Sequence, residues 1–222
     1  MMIMASITVE NYLKHLYLQQ QAAGAELVPM GKLASAMGVV PGTATTMVKA
    51  LADSGLVQYE PRGGVRLTKG GEQLALHVLR RHRLVELFLV KVLGLDWSEV
   101  HAEAEELEHA ISDKVLDRID ALLDYPETDP HGDPIPTAKG KVAATRTSSL
   151  AEAPVGKALR IARVLDQAAE FLQFADRNGL TPGTVVTVDR KEPAGDAIVV
   201  KPRAANAVTL GSGAAAKILV EG

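Results

Sequence analysis

The sequence predicts a mainly α-helical chain with small β parts. It has a winged helix-turn-helix first, helices in the middle and a small β-barrel last. Three observations carry this reading. Helix, turn, helix and hairpin signals follow one another in the first 70 residues. Two long helical patterns come next. The final 70 residues then break into short β-rich runs separated by Gly, Pro and Asn.

The elements are justified in order. Residues 8–21 place Val9, Tyr12, Leu13, Leu16 and Tyr17 at helical spacing, and Ser6 or Thr8 can cap that helix. A short helix over 32–37 follows Val28-Pro29-Met30-Gly31, and the run Gly38 to Gly42 makes a tight turn. A second helix runs from about Pro41 to Ser54, with Gly55 as its C-cap. Residues 56–60 and 65–68 read as strands joined by Pro61-Arg62-Gly63-Gly64, the wing. Helices are expected over 69–93 and over 98–123, the latter capped by Ser98. A turn-rich loop closes this part at 125–136, and small polar residues up to about 153 read as a linker. Strand-like runs at 159–164, 185–188, 198–201, 207–210 and 218–220, with a helix near 168–178, complete the β-barrel pattern.

Composition narrows the function. Apolar residues are 47% of the 222 and aromatics 4%, so the core is aliphatic. There is no cysteine, which excludes disulfides, thiol catalysis and Cys-ligated zinc or iron–sulfur sites. No apolar run is long enough to span a membrane, and the N-terminus lacks the pattern of a signal peptide, so a cytoplasmic protein is expected. The net charge of −3 hides a segregation. Residues 29–83 carry eight Lys/Arg against three Asp/Glu, a net of +5. Residues 84–133 carry three against fourteen, a net of −11. Such a chain suits a polyanion at one end and cations at the other, although two ordinary solvated surfaces also produce it.

On the expected recognition helix, Thr43, Thr45, Thr46 and Lys49 fall early and outward. Threonine can bond phosphates or base edges and touch a thymine methyl. Arg62 at the wing tip and Lys32 on the preceding helix suit phosphate contacts. These residues point to double-stranded DNA, with a protein–protein module as the alternative use of the fold.

The segment HAEAEELEH at 101–109 concentrates potential metal ligands. At about 100° per residue, with His101 at zero, Glu105 falls near ~40°, Glu108 near ~340° and His109 near ~80°. Glu103 and Glu106 face away. Glu105 and Glu108 repel each other unless a cation lies between them. His82 and Glu86 form a second pair at i, i+4 on the preceding helix. Alone, that pair equally describes a surface ion pair. Carboxylate and imidazole donors suit Mn²⁺, Fe²⁺, Co²⁺, Ni²⁺ or Zn²⁺ rather than Cu⁺.

With these residues in place, the chain resembles the diphtheria-toxin-repressor and manganese-transport-regulator family. The resemblance rests on ENYLKHLY (10–17), on LASAMGV through GLV (33–57) and on RRHRLVE (80–86). It continues in VHAEAEELEHAISD (100–113) and DPHGDPIP (129–136). It implies a DNA-binding domain (1–74), a helical metal-binding and dimerisation domain (75–140), a linker (141–153) and an SH3-like, FeoA-like domain (154–222). It implies a homodimer on operator DNA, with bound metal favouring the arrangement in which two recognition helices match successive major grooves. It implies repression of metal-uptake or metal-homeostasis genes, with no membrane and no small-molecule substrate as partner. It also implies two sites. The primary one takes Glu105, Glu108, His109 and Asn11 from helix one. The ancillary one takes His82, Glu86 and His101, with Glu170 and Gln173 as third-domain candidates. Glu105 stands where iron-type relatives have a cysteine, and a hard carboxylate favours Mn²⁺, with Fe²⁺ the alternative. Co²⁺, Ni²⁺, Zn²⁺ or Cd²⁺ are expected to substitute in vitro. Asn11 and Lys14 depart from the manganese-type pattern. A metal-independent regulator and a di-metal carboxylate enzyme are the competing readings.

Overall fold

The computed structural model describes residues 6–24, 27–144 and 146–222. Residues 1–5, part of the stretch read for a signal peptide, lie outside them. The chain divides into two compact units. One holds residues 1–81 and 136–141, the other 82–135 and 142–222.

In the first unit, α1 spans Ile7–Ala23 and its N-cap Ser6 accepts from the Val9 N–H. Helix α2 is Met30–Ala36, and α3 is Pro41–Asp53 with proline at its first position, where no intrahelical N–H is needed. Tyr12, Leu13, Leu16, Leu33, Val48 and Leu51 are buried, as the helical spacing requires. Strands β1 (Val57–Glu60) and β2 (Gly64–Leu67) pair antiparallel as the wing. Val28 exchanges both backbone hydrogen bonds with Val65 and so adds a bridge to the hairpin. A Cβ at Gly64 would meet the Val28 carbonyl oxygen at 2.6 Å, which explains why glycine opens β2.

Helix α4 runs Lys69–Lys91, and the division between units falls within it, after Arg81. The single helix expected over 98–123 is two. Helix α5 is Val100–Leu107, and α6 is Asp113–Leu122. Ser112 adopts extended backbone and accepts from the Val115 N–H, which starts a new helix without any Gly or Pro. Ser98 does not cap α5. Its backbone N–H and hydroxyl both donate to the Asp96 carboxylate, and Glu99 takes the cap position. Two apolar clusters hold this part together, one around Leu84, Leu87, Leu116, Ile119 and Ile135, the other around Val85, Leu89, Val100 and Ala104.

The C-terminal sheet has six antiparallel strands in the order β3-β8-β4-β5-β6-β7. They are β3 (Ser148–Ser149), β4 (Ala158–Val164), β5 (Val185–Glu192), β6 (Ala197–Pro202), β7 (Val208–Leu210) and β8 (Ile218–Glu221). Helices α7 (Ala169–Arg177) and α8 (Ser212–Ala216) accompany them. Strand β3 lies in the stretch read as linker, and the adjacent Leu150 is fully buried in the domain's core. Strand β4 carries a bulge between Ile161 and Arg163. Among the described residues no helix is long and apolar enough to cross a membrane.

Candidate metal centre and DNA-reading face

His82 sits at the middle of the ligand cluster. Its Nδ1 lies 2.6 Å from Glu108 Oε2 and 3.7 Å from Glu105 Oε1. Its Nε2 lies 2.9 Å from Glu86 Oε1 and 3.1 Å from His101 Nδ1. His101 Nδ1 is also 3.1 Å from Glu86 Oε1. His109 Nε2 lies 3.1 Å from Glu108 Oε1, so the buried Glu108 carboxylate spans two imidazoles. The six domain-two candidates therefore form one connected cluster. Where the resemblance implied two separate sites, His82 belongs to both halves. Two of its groupings, His82–Glu86–His101 and His82–Glu105–Glu108, have ligand atoms within 4.8 Å of one another. Helical spacing explains the convergence from α4 and α5. Glu108 keeps right-handed backbone as the C-cap of α5, so the expected face persists past the helix end.

A third grouping escaped the sequence reading. Glu86, Asp129 and His131 also converge within 4.8 Å, and all three are buried. Asp129 and His131 come from the loop between α6 and β3, two residues apart, where no periodicity marks a face. His131 Nε2 lies 2.9 Å from the Trp97 carbonyl oxygen, and its ring stacks on Trp97 at 5.5 Å between centroids. The bond to a carbonyl puts the Nε2 proton there and leaves Nδ1 as an acceptor in the neutral ring. That Nδ1 has no hydrogen-bond partner and faces Glu86 Oε2 at 3.8 Å and Asp129 Oδ1 at 4.0 Å. Asp129 Oδ2 makes no hydrogen bond and has the Arg83 Nε as an ion-pair partner at 3.6 Å. Acceptors facing acceptors in a buried space are costly unless a cation lies among them, so these residues fit a divalent metal.

The electrostatics agree. Burial alone would raise Glu86, but hydrogen bonds from His101 and His82, with electrostatic attraction to the His82 and His131 imidazoles, outweigh it. They hold its carboxyl well below the usual range. Asp129 is pushed well above the usual range by burial, then by the charges of Asp133 and Glu86, against a smaller pull from Arg83. One carboxylate is thus ready to coordinate, and the other is penalised for its charge until a cation arrives.

The remaining candidates are placed as follows. Asn11 lies half-buried on α1, in the first unit. Glu170 and Gln173 are exposed on α7, and Glu170 takes part in none of the three groupings. Third-domain residues do approach this region, but through Asp133, which accepts from Gln167 Nε2 at 3.0 Å and pairs with Arg163 and Arg83. In the first unit, Lys32, Thr43, Thr46, Lys49 and Arg62 are exposed, and Thr45 is half-buried. Thr45 and Thr46 donate their hydroxyls to the Pro41 and Gly42 carbonyls at 2.8 and 3.1 Å. Their outward contacts are therefore limited to methyls and acceptor lone pairs. Arg62 holds φ at 67°, a left-handed backbone at the wing tip.

Three family descriptions match consecutive parts of the chain. They are the iron-dependent repressor N-terminal DNA-binding domain (residues 4–65), the iron-dependent repressor metal-binding and dimerisation domain (68–137) and the FeoA domain (148–222). The iron-dependent repressor IdeR of Mycobacterium leprae is 31% identical over 207 residues, covering 88% of this chain and 89% of that protein. A solved manganese-dependent transcriptional repressor in complex with manganese is 38% identical, with a TM-score of 0.85 over 96% of this chain and 98% of that one. The repressor ScaR with bound Cd²⁺ is 34% identical, with a TM-score of 0.78 over 96% and 98% of the two chains. The chain belongs to the diphtheria-toxin-repressor family of metal-dependent, DNA-binding transcription repressors, with a C-terminal SH3-like domain.

Proposed function

We propose that this protein is a cytoplasmic, Mn²⁺-responsive repressor of metal-uptake or metal-homeostasis genes that binds operator DNA as a homodimer. The observation that carries the metal is the donor set. Glu86, Glu105, Glu108 and Asp129 supply hard oxygens beside His82, His101, His109 and His131, with no soft ligand among them. A bound divalent cation supplies the positive charge that lets these carboxylates share a buried space. Glu105 and Glu108 bring α5 to His82 of α4, Glu86 joins His82 to His131, and Glu108 adds His109. Fe²⁺ is the second reading, because the four imidazoles suit it as well and the Mycobacterium leprae relative is named iron-dependent. Co²⁺, Ni²⁺, Zn²⁺ and Cd²⁺ are expected to compete in vitro.

Dimerisation is supported by apolar side chains left at the surface of the single chain. Val92, Leu93, Leu107, Val115 and Leu122, on or beside α4, α5 and α6, are 37–63% exposed. DNA binding is assigned to Thr43, Thr45, Thr46 and Lys49 of α3, with Lys32 and Arg62 on phosphates. With no Arg fork on α3, discrimination falls to small contacts and DNA shape. Arg62→Gly is expected to relieve the left-handed strain, worth about 1 kcal/mol, while removing one phosphate contact. A thermal melt should show equal or higher stability, and a salt titration of operator affinity a slope shallower by about 1.

The deciding experiment is fluorescence anisotropy on DNA selected from a random pool. Binding should tighten with micromolar Mn²⁺ and reverse with a chelator. Tight binding that ignores both would establish a metal-independent regulator instead.

A further inference from the structure

Resting on the metal-centre reading above, we propose that the SH3-like domain acts on the Glu86–Asp129–His131 triad by holding the loop that carries two of its members, with Arg163 as the positioning residue. Four contacts tie β4 and its surroundings to that loop. The Val164 N–H donates to the His131 carbonyl oxygen at 2.9 Å. Gly132, at φ 85°, lies so close to β4 that a Cβ there would meet the Ala162 carbonyl oxygen at 2.0 Å. The Asp133 carboxylate, 3% exposed, receives Arg163 and Arg83 on Oδ1 and Gln167 on Oδ2. Trp97, which stacks on His131 and accepts from its Nε2, packs its own ring against the core of the SH3-like domain.

The bulge between Ile161 and Arg163 falls at the strand residues that touch the loop. A bulge re-aims side chains and bends the strand, and here it turns Arg163 to Asp133 and the Ala162 carbonyl to Gly132. Within the loop, Asp129 Oδ1 accepts the N–H groups of His131 and Asp133 at 2.8 and 2.9 Å, so the loop moves as one piece. Whatever fixes Asp133 therefore fixes His131 Nδ1 and the Asp129 carboxylate against Glu86. The SH3-like domain acts here through Arg163 and Gln167, independently of any ligand role for Glu170 or Gln173. An outer partner of this kind changes metal affinity by about tenfold to a hundredfold.

The chain has one tryptophan, so emission of Trp97 reports the triad beneath it. The test is Mn²⁺ titration of the full-length protein by calorimetry, with Trp97 emission followed in parallel. Wild type should show one binding phase linked to Trp97, and His131→Ala should remove that phase alone. Arg163→Ala should weaken the Trp97-linked phase at least about tenfold while leaving the His82–Glu105–Glu108 phase and the dimer unchanged. Arg163→Lys should restore part of the loss. Should Arg163→Ala fold poorly, Gln167→Glu sets a carboxylate against Asp133 from a less buried position and should weaken the same phase. If both variants titrate like wild type, the positioning role is wrong and the metal centre stands. If wild type takes up no Mn²⁺ in either readout, the metal centre falls and this proposal falls with it.

Discussion

Replacing Glu108 by glutamine should abolish the Mn²⁺ response of DNA binding while leaving a folded dimer. Glu108 is 0% exposed and spans His82 at 2.6 Å and His109 at 3.1 Å, so it is a fully buried carboxylate shared by two imidazoles. Glutamine keeps the shape and an accepting oxygen but loses the charge that holds a cation. Metal-dependent tightening should fall by at least about a hundredfold, the upper end of what loss of even an outer partner costs. Glu105→Ala is expected to act in the same direction and also leave the dimer intact, because Glu105 is partly exposed and supports no core. Anisotropy with Mn²⁺ and gel filtration, run side by side, check both variants. A Glu108→Gln protein that retains the wild-type metal response would remove Glu108 from the site.

Asp129→Asn should raise the stability of the metal-free protein. The Asp129 carboxyl is held above its usual range by burial and by the charges of Asp133 and Glu86. A carboxyl raised in the folded state favours folding below its unfolded value of about 4, and that contribution is lost as pH rises through the raised value. Toward neutral pH the wild-type apo protein therefore bears the cost of burying this carboxyl, either as a buried charge or as the proton it must hold to avoid one. Asparagine retains an oxygen for the His131 and Asp133 N–H groups and removes the charge. The gain should be about 1–3 kcal/mol, or roughly 2–4 °C of melting temperature for each kcal/mol in a chain of this size. It should shrink toward zero as pH falls below about 4. Added Mn²⁺ should invert the order, stabilising wild type more than the variant. Melting curves across pH, with chelator and with Mn²⁺, measure all three effects. An apo variant that melts below wild type at neutral pH would show that Asp129 is not a penalised charge.

The parts of the fold and site that were readable from sequence are those governed by local periodicity. His101, Glu105 and Glu108 share a helical face because three- and four-residue spacing projects side chains the same way. His82 and Glu86 follow the same rule on α4. Asp129 and His131 obey no such rule, since their loop is positioned by Gly132, Asp133 and the strand beside it, all tertiary contacts. The break between α5 and α6 was hidden because Ser112 starts a helix through one side-chain bond rather than through a proline or glycine. Strand β3 was hidden because two serines carry no β signal and pair with β8 only once the sheet exists. Thr43 and Thr46 of α3 were legible as exposed residues and Thr45 is half-buried, but the hydroxyl donors of Thr45 and Thr46 are occupied by the helix's own carbonyls.

The donor atoms converging in this cluster are all nitrogen or oxygen. That has a consequence for cells under peroxide. A thiolate ligand can be carried to sulfenate and beyond, which silences a sensor by chemistry on the protein. Imidazole and carboxylate stand outside that ladder. A regulator built this way has no ligand that can become a sulfenate, so thiol oxidation plays no part in its response.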